Sequence, residues 1–130
     1  MTAVRCPCGR DADYGSCCGA IHAGAAASTA EDLMRSRYSA HVVGDVAYLL
    51  RSWAAETRPP VIVLDPSQRW TGLEIVDTVD GGVLAVDGIV EFVASFVAAT
   101  GPGVRAERSR FRREAGRWVY VDGGETGCGS

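Results

Sequence analysis

Four of the five cysteines lie close together near the amino terminus, and this cluster constrains the fold more than any other feature of the sequence. A Cys-Pro-Cys run is followed, after eight residues, by a Cys-Cys pair. Four thiolates complete the tetrahedral shell that zinc prefers, at Zn–S distances of about 2.3 Å, and leave no position for water. Glycines beside both pairs ease the tight backbone turns that such a shell requires. The spacing therefore predicts one structural Zn²⁺ per chain, bound by Cys6, Cys8, Cys17 and Cys18.

Three other roles compete with zinc for these cysteines: a pair of disulfides, a redox-active pair and an iron–sulfur cluster. Disulfides belong mainly to secreted proteins, and the first twenty residues contain charged side chains but no apolar run of the length that a signal peptide needs. A redox pair is typically spaced Cys-x-x-Cys, and the sequence has no such spacing. Nor does it contain an apolar stretch of about 18 residues that would span a membrane. We therefore expect a cytoplasmic protein with reduced thiols and no membrane contact.

Length and composition fit one globular domain. The chain has 130 residues, of which 47% are hydrophobic and 22% are charged. Its net charge of −3 argues against nucleic acid as the main partner. We divide the chain into a zinc-binding segment, residues 1–27, a folded domain, residues 28–124, and a disordered tail, residues 125–130, which contains the isolated Cys128.

Two helices are predicted directly after the cysteine segment. Ser28-Thr29-Ala30-Glu31 has the form of a capping box with Ser28 as the N-cap. Apolar residues then recur every three or four positions up to Gly44, where the first helix should end. Asp45 is predicted to cap a second helix. That helix should continue to Arg58-Pro59-Pro60, because proline breaks helices.

The remaining residues have the pattern of antiparallel strands. Early strands are predicted at Val61–Leu64, Trp70–Val79 and Val83–Val97, the last of them bent or bulged near Asp87-Gly88. After a turn at Thr100–Gly103, a hairpin is predicted around Glu114-Ala115-Gly116, with arms Val104–Arg113 and Arg117–Val121. Helices followed by such a meander indicate an α+β fold, with the helices packed on one face of the sheet.

The residues around the four cysteines carry a more specific pattern: Cys6-Pro7-Cys8-Gly9-Arg10, then Tyr14, then Cys17-Cys18-Gly19. This pattern resembles the SEC-C zinc motif, first known from the carboxy-terminal tail of the SecA translocation ATPase. The Gly-Ser-Gly-Lys run that is common in the motif is replaced here by Gly9-Arg10-Asp11-Ala12. In SecA the module contacts a chaperone and the ribosome, so the resemblance implies a role in binding a protein partner.

Further motifs extend over the rest of the chain, among them Leu33–Ala40, Thr57-Arg58-Pro59, Glu107–Phe111 and Gly116–Gly123. With them, the chain resembles the YchJ-like family over nearly its whole length. The resemblance implies a SEC-C motif joined to a nuclear-transport-factor-two-like (cystatin-related) domain, in which a curved antiparallel sheet and N-terminal helices form a cone. Many relatives carry Trp-His-Pro where this chain has Trp53-Ala54-Ala55. A histidine suited to proton transfer is therefore replaced by alanine.

Cone-type folds often enclose a cavity, so inward-facing polar residues are candidate ligand groups. Strand alternation puts Glu107 on the same face as Phe111, which marks the inner face. Glu91 is expected to point inward as well, and either carboxylate would pair with Arg37 or Arg58. The candidate pocket residues are Arg37, Tyr38, Trp53, Trp70, Glu91, Glu107 and Tyr120. The competing interpretation is an ordinary core with arginine-paired carboxylates.

The other ionisable residues give weaker signals. Arg108, Arg110 and Arg112 alternate with the inward set and are predicted on a solvated outer face, with docking of an acidic partner or RNA as the rival interpretation. His22 and His41 are interpreted as surface or capping residues. The sequence contains no recognisable nucleophile–base pair or phosphate-binding glycine loop, so no catalytic residue is assigned.

The leading hypothesis is a zinc-binding protein that acts by binding a protein partner linked to a chaperone or to translation. The alternative is a small-molecule-binding or enzymatic domain that uses the cone interior. A third hypothesis gives the zinc segment a purely structural role. Homodimerisation through a sheet face is also expected, because domains of the cone type commonly pair in that way.

Overall fold

The structure, a computed structural model, describes residues 5–125, which form three α-helices followed by four strands. After a 3-10 turn at Tyr14–Ser16, the helices are α1 (Cys18–His22), α2 (Ala30–Val43) and α3 (Val46–Arg51). The strands are β1 (Arg69–Asp80), β2 (Asp87–Ala98), β3 (Gly101–Glu114) and β4 (Arg117–Glu125). The predicted tail, including Cys128, lies outside the described residues except for Glu125. No helix within residues 5–125 combines the length and the apolar character needed to cross a membrane.

Local caps define both ends of α2. Thr29 is its N-cap, because this residue has an extended backbone and its Oγ1 accepts a 3.0 Å hydrogen bond from the Asp32 N–H. The cap predicted at Ser28 is therefore wrong by one residue. Glu31 does not complete a capping box, since its carboxylate accepts a 2.9 Å hydrogen bond from Arg35. The helix ends at Gly44, as predicted, where a φ of 81° gives the left-handed conformation of a typical helix end.

The second predicted helix, α3, is shorter than predicted. Its N-cap is Asp45, as predicted, and the side chain accepts a 3.0 Å hydrogen bond from the Tyr48 N–H. The helix ends at Arg51 rather than at the prolines, because the chain then pairs with β4. The Ala54 N–H donates to the Tyr120 carbonyl at 2.7 Å, which takes a backbone group that a longer helix would need.

The sheet is an antiparallel meander with the order β1-β2-β3-β4. The β3–β4 hairpin turns at Ala115-Gly116, whose φ values of 52° and 82° are those of a two-residue type I′ turn. The predicted turn at Thr100–Gly103 is wrong, because residues from Gly101 onward already pair with β2. Gly103 fits there because a Cβ at this position would lie 2.8 Å from the Phe96 ring. The predicted α+β class is confirmed.

Two of the other predicted strands differ from the structure. Val61–Leu64 alternates between exposed and partly buried residues, as a strand would, but no strand within residues 5–125 pairs with it. The next predicted strand begins at Asp87 instead of Val83. The intervening residues form the turn from β1, in which the Ala85 N–H donates to the Gly82 carbonyl at 3.0 Å.

Helix α2 lies against the inner face of the curved sheet and forms the core with it. Buried residues of the helices and strands meet there, among them Leu33, Met34, Tyr38, Leu49, Val90, Phe92, Phe111 and Trp118. At the start of α2 the approach is close, since a Cβ at Gly81 or Gly88 would lie 2.8 or 2.9 Å from the Ala30 side chain. The cavity described below lies at the other end of this helix.

Candidate metal centre and cone cavity

The four predicted zinc ligands come together at one point. Their Sγ atoms all lie within 4.8 Å of one another, and those of Cys8 and Cys17 are 3.8 Å apart. Ligands at about 2.3 Å from one tetrahedral ion are about 3.8 Å from each other. Cys6, Cys8 and Cys18 are buried and Cys17 is half-buried. This arrangement has the size and the chemistry of a site that binds a single metal ion.

The backbone between the two cysteine pairs is folded back tightly. The Cys6 N–H donates to the Ala12 carbonyl at 2.8 Å, and the 3-10 turn leads directly into α1, which carries Cys18. Gly19 is required in this arrangement, because a Cβ there would lie 2.6 Å from the Tyr14 carbonyl oxygen. We call residues 5–22 the knuckle.

The thiols share protons unequally. A hydrogen bond from the Cys18 thiol lowers the pKa of Cys8 to about 4. The same hydrogen bond, together with burial, raises the pKa of Cys18, and burial raises the pKa of Cys17. Cys8 is therefore ready to bind a cation as a thiolate, and an ion would displace the remaining protons from its neighbours.

The knuckle is packed against α2 rather than hanging from it. Arg35 donates to the Cys8 carbonyl at 2.7 Å, Arg10 forms a 2.6 Å ion pair with Asp32, and the Cys6 sulfur lies 3.6 Å from the Ser39 hydroxyl. These contacts attach the knuckle to one side of the helix along most of its length.

His22 completes this attachment: it is half-buried in the last turn of α1, whereas the sequence suggests a surface or capping residue. Its Nε2 lies 2.8 Å from the Ser36 carbonyl and its Nδ1 lies 2.5 Å from the Tyr14 hydroxyl. Because a carbonyl only accepts, Nε2 donates to Ser36, and Nδ1 is the ring nitrogen that faces the Tyr14 hydroxyl. Stacking on Tyr48, with ring centroids 4.6 Å apart, holds the imidazole between α1 and α3.

A cavity of about 250 Å³ opens between the second half of α2 and the inner face of the sheet. Six of the seven predicted pocket residues line it: Arg37, Tyr38, Trp53, Trp70, Glu107 and Tyr120. Sequence reasoning did not assign His41, Arg105 or Ser109 to this site, although all three face the cavity as well. Arg105 and Ser109 flank Glu107 at two-residue spacing, so strand alternation was a signal that pointed to them.

The seventh predicted pocket residue, Glu91, lies on the other face of the sheet, so its predicted inward orientation is wrong. Phe92 is buried on the inner face, and adjacent residues of a strand point to opposite faces. Glu91 accepts a 2.8 Å hydrogen bond from Arg108 on the outer face.

The outer face also carries the arginine stripe that the sequence places there. Each of its three arginines contacts at least one carboxylate: Arg108 pairs with Glu91 and Asp77, Arg110 with Asp122, and Arg112 with Glu56 and Glu114. The positive charge of the stripe is thereby balanced within the chain. This balance favours the solvated-face interpretation over docking to RNA.

Arg37 is buried at the base of the cavity and does not pair with either predicted carboxylate. Its Nη1 donates to the Leu49 carbonyl at 2.9 Å and to the Ser52 hydroxyl at 2.6 Å. The guanidinium carbon lies 4.7 Å from the centre of the Tyr120 ring and 5.1 Å from that of Trp53. Burial lowers the pKa of Arg37 to about 10, which leaves the side chain charged at neutral pH.

Glu107 is the buried carboxylate of the cavity, and local groups satisfy it. Arg105 donates to Oε2 at 3.1 Å, and Ser109 donates to Oε1 at 2.8 Å. Gly123 leaves space for this carboxylate, because a Cβ at that position would lie 2.5 Å from Oε1. Together with burial, Glu107 raises the pKa of Tyr120 to about 12, so the phenol stays protonated.

His41 lies in the last turn of α2, at the helix end that the sequence indicates, but it is half-buried and lines the cavity. It packs on Trp70 with ring centroids 5.8 Å apart. Burial lowers the pKa of His41 to about 4, and the neighbouring Arg37 and Arg105 act in the same direction. The imidazole is therefore neutral at physiological pH, and two arginines face one carboxylate in the cavity.

A four-thiol knuckle packed on helices and a curved four-stranded sheet defines a protein that joins a SEC-C motif to a nuclear-transport-factor-two-like (NTF2-like) domain. The family model described as the YchJ middle NTF2-like domain matches residues 29–123. The chain belongs to the YchJ-like family. Relatives under the family name UPF0225 include a Streptomyces coelicolor protein that is 56% identical over 95% of this chain and 97% of its own length. A Xanthomonas oryzae relative is 52% identical over 90% of this chain and 92% of its own length.

Solved structures give the same result. The solution structure of a SEC-C motif containing protein from Rhodopseudomonas palustris aligns with a TM-score of 0.80 at 28% identity, over 95% of this chain and 99% of that protein. The crystal structure of a SEC-C motif containing protein from Psychrobacter arcticus aligns with a TM-score of 0.73 at 27% identity, over 91% of this chain and 80% of that one. The family and the fold predicted from the sequence are thus confirmed.

Proposed function

We propose that the chain is a zinc-dependent interaction protein, in which one structural Zn²⁺ holds the knuckle in the shape that a protein partner recognises. The observation that carries this proposal is the cage of four thiols within 4.8 Å. Four thiolates suit zinc and fill its coordination shell, so the ion would support the fold rather than catalyse a reaction.

The geometry also weighs against the rival uses of the cysteines. A disulfide requires two sulfurs about 2.05 Å apart, whereas Cys8 and Cys17 are separated by 3.8 Å. An iron–sulfur cluster places several metal atoms between its thiolates and needs a wider cage than this one. Four reduced thiols also fit the cytoplasm, where such side chains stay unoxidised. We infer from this chemistry that the protein acts there.

The metal is tested by elemental analysis of protein purified without added zinc. We expect about one zinc per chain in the wild type and a strong loss in Cys17→Ser, which removes one ligand of the closed shell. Cys128→Ser is the matched control and should keep its zinc, since Cys128 is remote in sequence from the cluster. Iron in place of zinc, or no metal at all, would contradict the assignment.

The partner is proposed on the basis of the SEC-C resemblance and the exposed side of the knuckle. That side carries the exposed Asp13 beside the 3-10 turn and the exposed Asp11, whose carboxylate forms a 2.9 Å ion pair with Arg5. The expected partner is a protein linked to a chaperone or to translation, with a basic surface opposite these carboxylates.

Three baits test this interaction in a pull-down from the native host: wild type, Cys17→Ser and Asp11→Ala/Asp13→Ala. The third variant should keep its zinc while it loses surface charge. A specific partner should bind the wild type, disappear with Cys17→Ser and weaken with the acidic double variant. The same bound proteins on all three baits would rule out a knuckle-dependent interaction.

A second candidate function, a small-ligand site, is favoured by the cavity between α2 and the sheet. A fully packed interior would exclude a ligand, and the interior is not fully packed. The cavity volume of 250 Å³ is close to the lower end of the usual range for ligand pockets, about 300–1,000 Å³. Native mass spectrometry of the purified protein tests this candidate, because a resident small molecule adds its own mass. A complex of the protein with an added small molecule, detected in the same measurement, would also support the ligand site.

A further inference from the structure

The cavity contains a guanidinium that no carboxylate neutralises directly. Arg37 is only 7% exposed, and within residues 5–125 its protein hydrogen bonds are the two that Nη1 donates to α3 and Ser52. A buried charge costs free energy unless it is paired. This cost is offset only in part by the aromatic faces of Tyr120 and Trp53.

Nε and Nη2 are the remaining donors of Arg37. No fully buried side-chain nitrogen or oxygen among the described residues lacks a hydrogen-bond partner. Within the described part of the chain, Nε and Nη2 of Arg37 make no protein hydrogen bond, so these nitrogens are not fully buried, and Arg37 lines the cavity. Two N–H groups on one edge of a guanidinium match the two oxygens of a carboxylate.

The one carboxylate among the described residues that line the cavity does not occupy this edge. Both oxygens of Glu107 are bound, one by Arg105 and the other by Ser109. Since His41 is neutral at physiological pH, the cavity holds one positive charge in excess. An anion of single charge would balance it.

The walls of the cavity determine which shape of anion fits. Trp53, Trp70, Tyr38 and Phe92 surround the space and present flat apolar surfaces. The volume of 250 Å³ admits only a small molecule. Polar donors at the base and aromatic walls around it suit a ligand with one charged end and a flat body.

We propose that the cavity binds a small organic carboxylate with a flat apolar body, whose carboxylate is held by Arg37 and whose body lies against the aromatic walls. This inference rests on the second candidate function, a ligand site in the cone. A phosphate group shares part of this chemistry, but its second charge and its bulk suit the single excess charge and the apolar walls less well.

Titrations of the full chain, loaded with zinc and labelled with ¹⁵N, test the proposal by NMR. The probes are benzoate, its neutral analogue benzamide and inorganic phosphate. We expect benzoate to shift the indole N–H signals of Trp53 and Trp70, and to bind about tenfold or more tightly than benzamide. Trp118 is an internal control, since its indole donates to the Ser28 carbonyl away from this cavity.

Charge-changing variants then assign the binding group. Arg37→Met should weaken benzoate binding by about tenfold to a hundredfold, the effect of losing a charged hydrogen bond. Because Arg37 also holds α3, a second variant keeps the test valid if this one does not fold. Glu107→Gln is nearly isosteric and removes the competing negative charge, so benzoate should bind more tightly. Arg110→Gln on the outer face is the matched control and should change nothing.

The outcomes separate the two levels of the proposal. Equal binding of benzoate and benzamide overturns the carboxylate assignment and leaves a ligand site in place. Preference for inorganic phosphate overturns it in favour of a phosphate ligand. No shift of either cavity tryptophan with any probe at millimolar concentration overturns the ligand site itself.

Discussion

Gly19 sits where the knuckle has no room for a side chain. A Cβ at this position would lie 2.6 Å from the Tyr14 carbonyl and 2.7 Å from its ring, distances that real contacts do not reach. Tyr14 is also held by His22, so it has little freedom to move aside. We therefore expect Gly19→Ala to displace Cys17 and Cys18 and to lower the zinc content well below one ion per chain, as measured by elemental analysis.

Gly15→Ala is the matched control for this substitution. A Cβ at Gly15 meets nothing within 4 Å, so this variant should bind as much zinc as the wild type. A Gly19→Ala protein that retains full zinc would show that the knuckle relaxes around Tyr14, and would remove the steric argument for glycine at this position.

For single residues, a site formed by neighbours in the sequence could be predicted. The face of a helix or strand on which a side chain lies was often not predicted. The four cysteines could be predicted as metal ligands because their short spacing in the sequence brings their sulfurs close together. His41 follows the predicted pocket residues Arg37 and Tyr38 at helical spacing, so the position of these two residues was a signal that pointed to it. Strand alternation does settle Glu91, because an inward Phe92 requires its neighbour Glu91 to point outward, where it binds Arg108.

The start of α2 depends on one hydroxyl group. Thr29 Oγ1 accepts from the Asp32 N–H at 3.0 Å and satisfies one of the free amides of the first turn. We expect Thr29→Ala to lower the free energy of unfolding by about 1 kcal/mol, a typical value for the loss of an N-cap. Urea denaturation, followed by circular dichroism, measures the change.

Ser28→Ala is the appropriate comparison, because the sequence suggests Ser28 as the cap while the structure assigns this role to Thr29. The backbone carbonyl of Ser28 accepts hydrogen bonds from the Trp118 and Arg113 side chains. An alanine at this position keeps that carbonyl. This variant should be as stable as the wild type. A larger loss for Ser28→Ala than for Thr29→Ala would show that the helix begins one residue earlier in solution.

Helix and strand ends that depend on residues next to them in the sequence could be predicted. Ends that depend on pairing with residues far away in the sequence could not. The hairpin at Ala115-Gly116 and the helix end at Gly44 follow from glycine and turn geometry alone. Val61–Leu64 has the composition of a strand, but none of the four described strands pairs with it. Helix α3 ends early because Ala54 pairs with Tyr120, a contact between residues far apart in sequence.

The contacts between the knuckle and α2 predict how metal removal affects the whole molecule. Arg35 and His22 connect the metal site to the helix that also carries Arg37. After chelation of zinc, we expect residues 6–22 to lose hydrogen-exchange protection completely and α2 to lose part of it. The β3–β4 hairpin should stay protected, because its pairing does not involve the knuckle.

Re-addition of zinc should restore protection, and Cys17→Ser should reproduce the chelated pattern without a chelator. Unchanged protection of α2 in the metal-free protein would mean that the knuckle and the cone are energetically independent. The sequence alone did not indicate this coupling, since it divides the chain at residue 27, whereas the knuckle contacts span the boundary.

An apolar patch on the outer face of the sheet bears on the oligomeric state. Val93, Val97 and Val104 face outward at one end of the β2–β3 pair, with Ala106 opposite Val93, and Val104 is 67% exposed. The ion pairs of the arginine stripe cover the other end of this face. We propose that two copies of the chain cover the patch mutually, since its side chains are apolar and uncharged.

Sedimentation equilibrium measures whether the chain forms this dimer. We expect a dimer for the wild type and a monomer for Val104→Glu, because the new carboxylates would be buried without partners at the interface. Val63→Glu introduces the same charge at a valine that is 87% exposed and lies outside the sheet, so it should remain dimeric. Zinc content should be equal in all three proteins, which separates loss of pairing from loss of fold. A wild-type chain that stays monomeric at high concentration, or a dimer that tolerates glutamate at position 104, would assign the patch to another partner or to none.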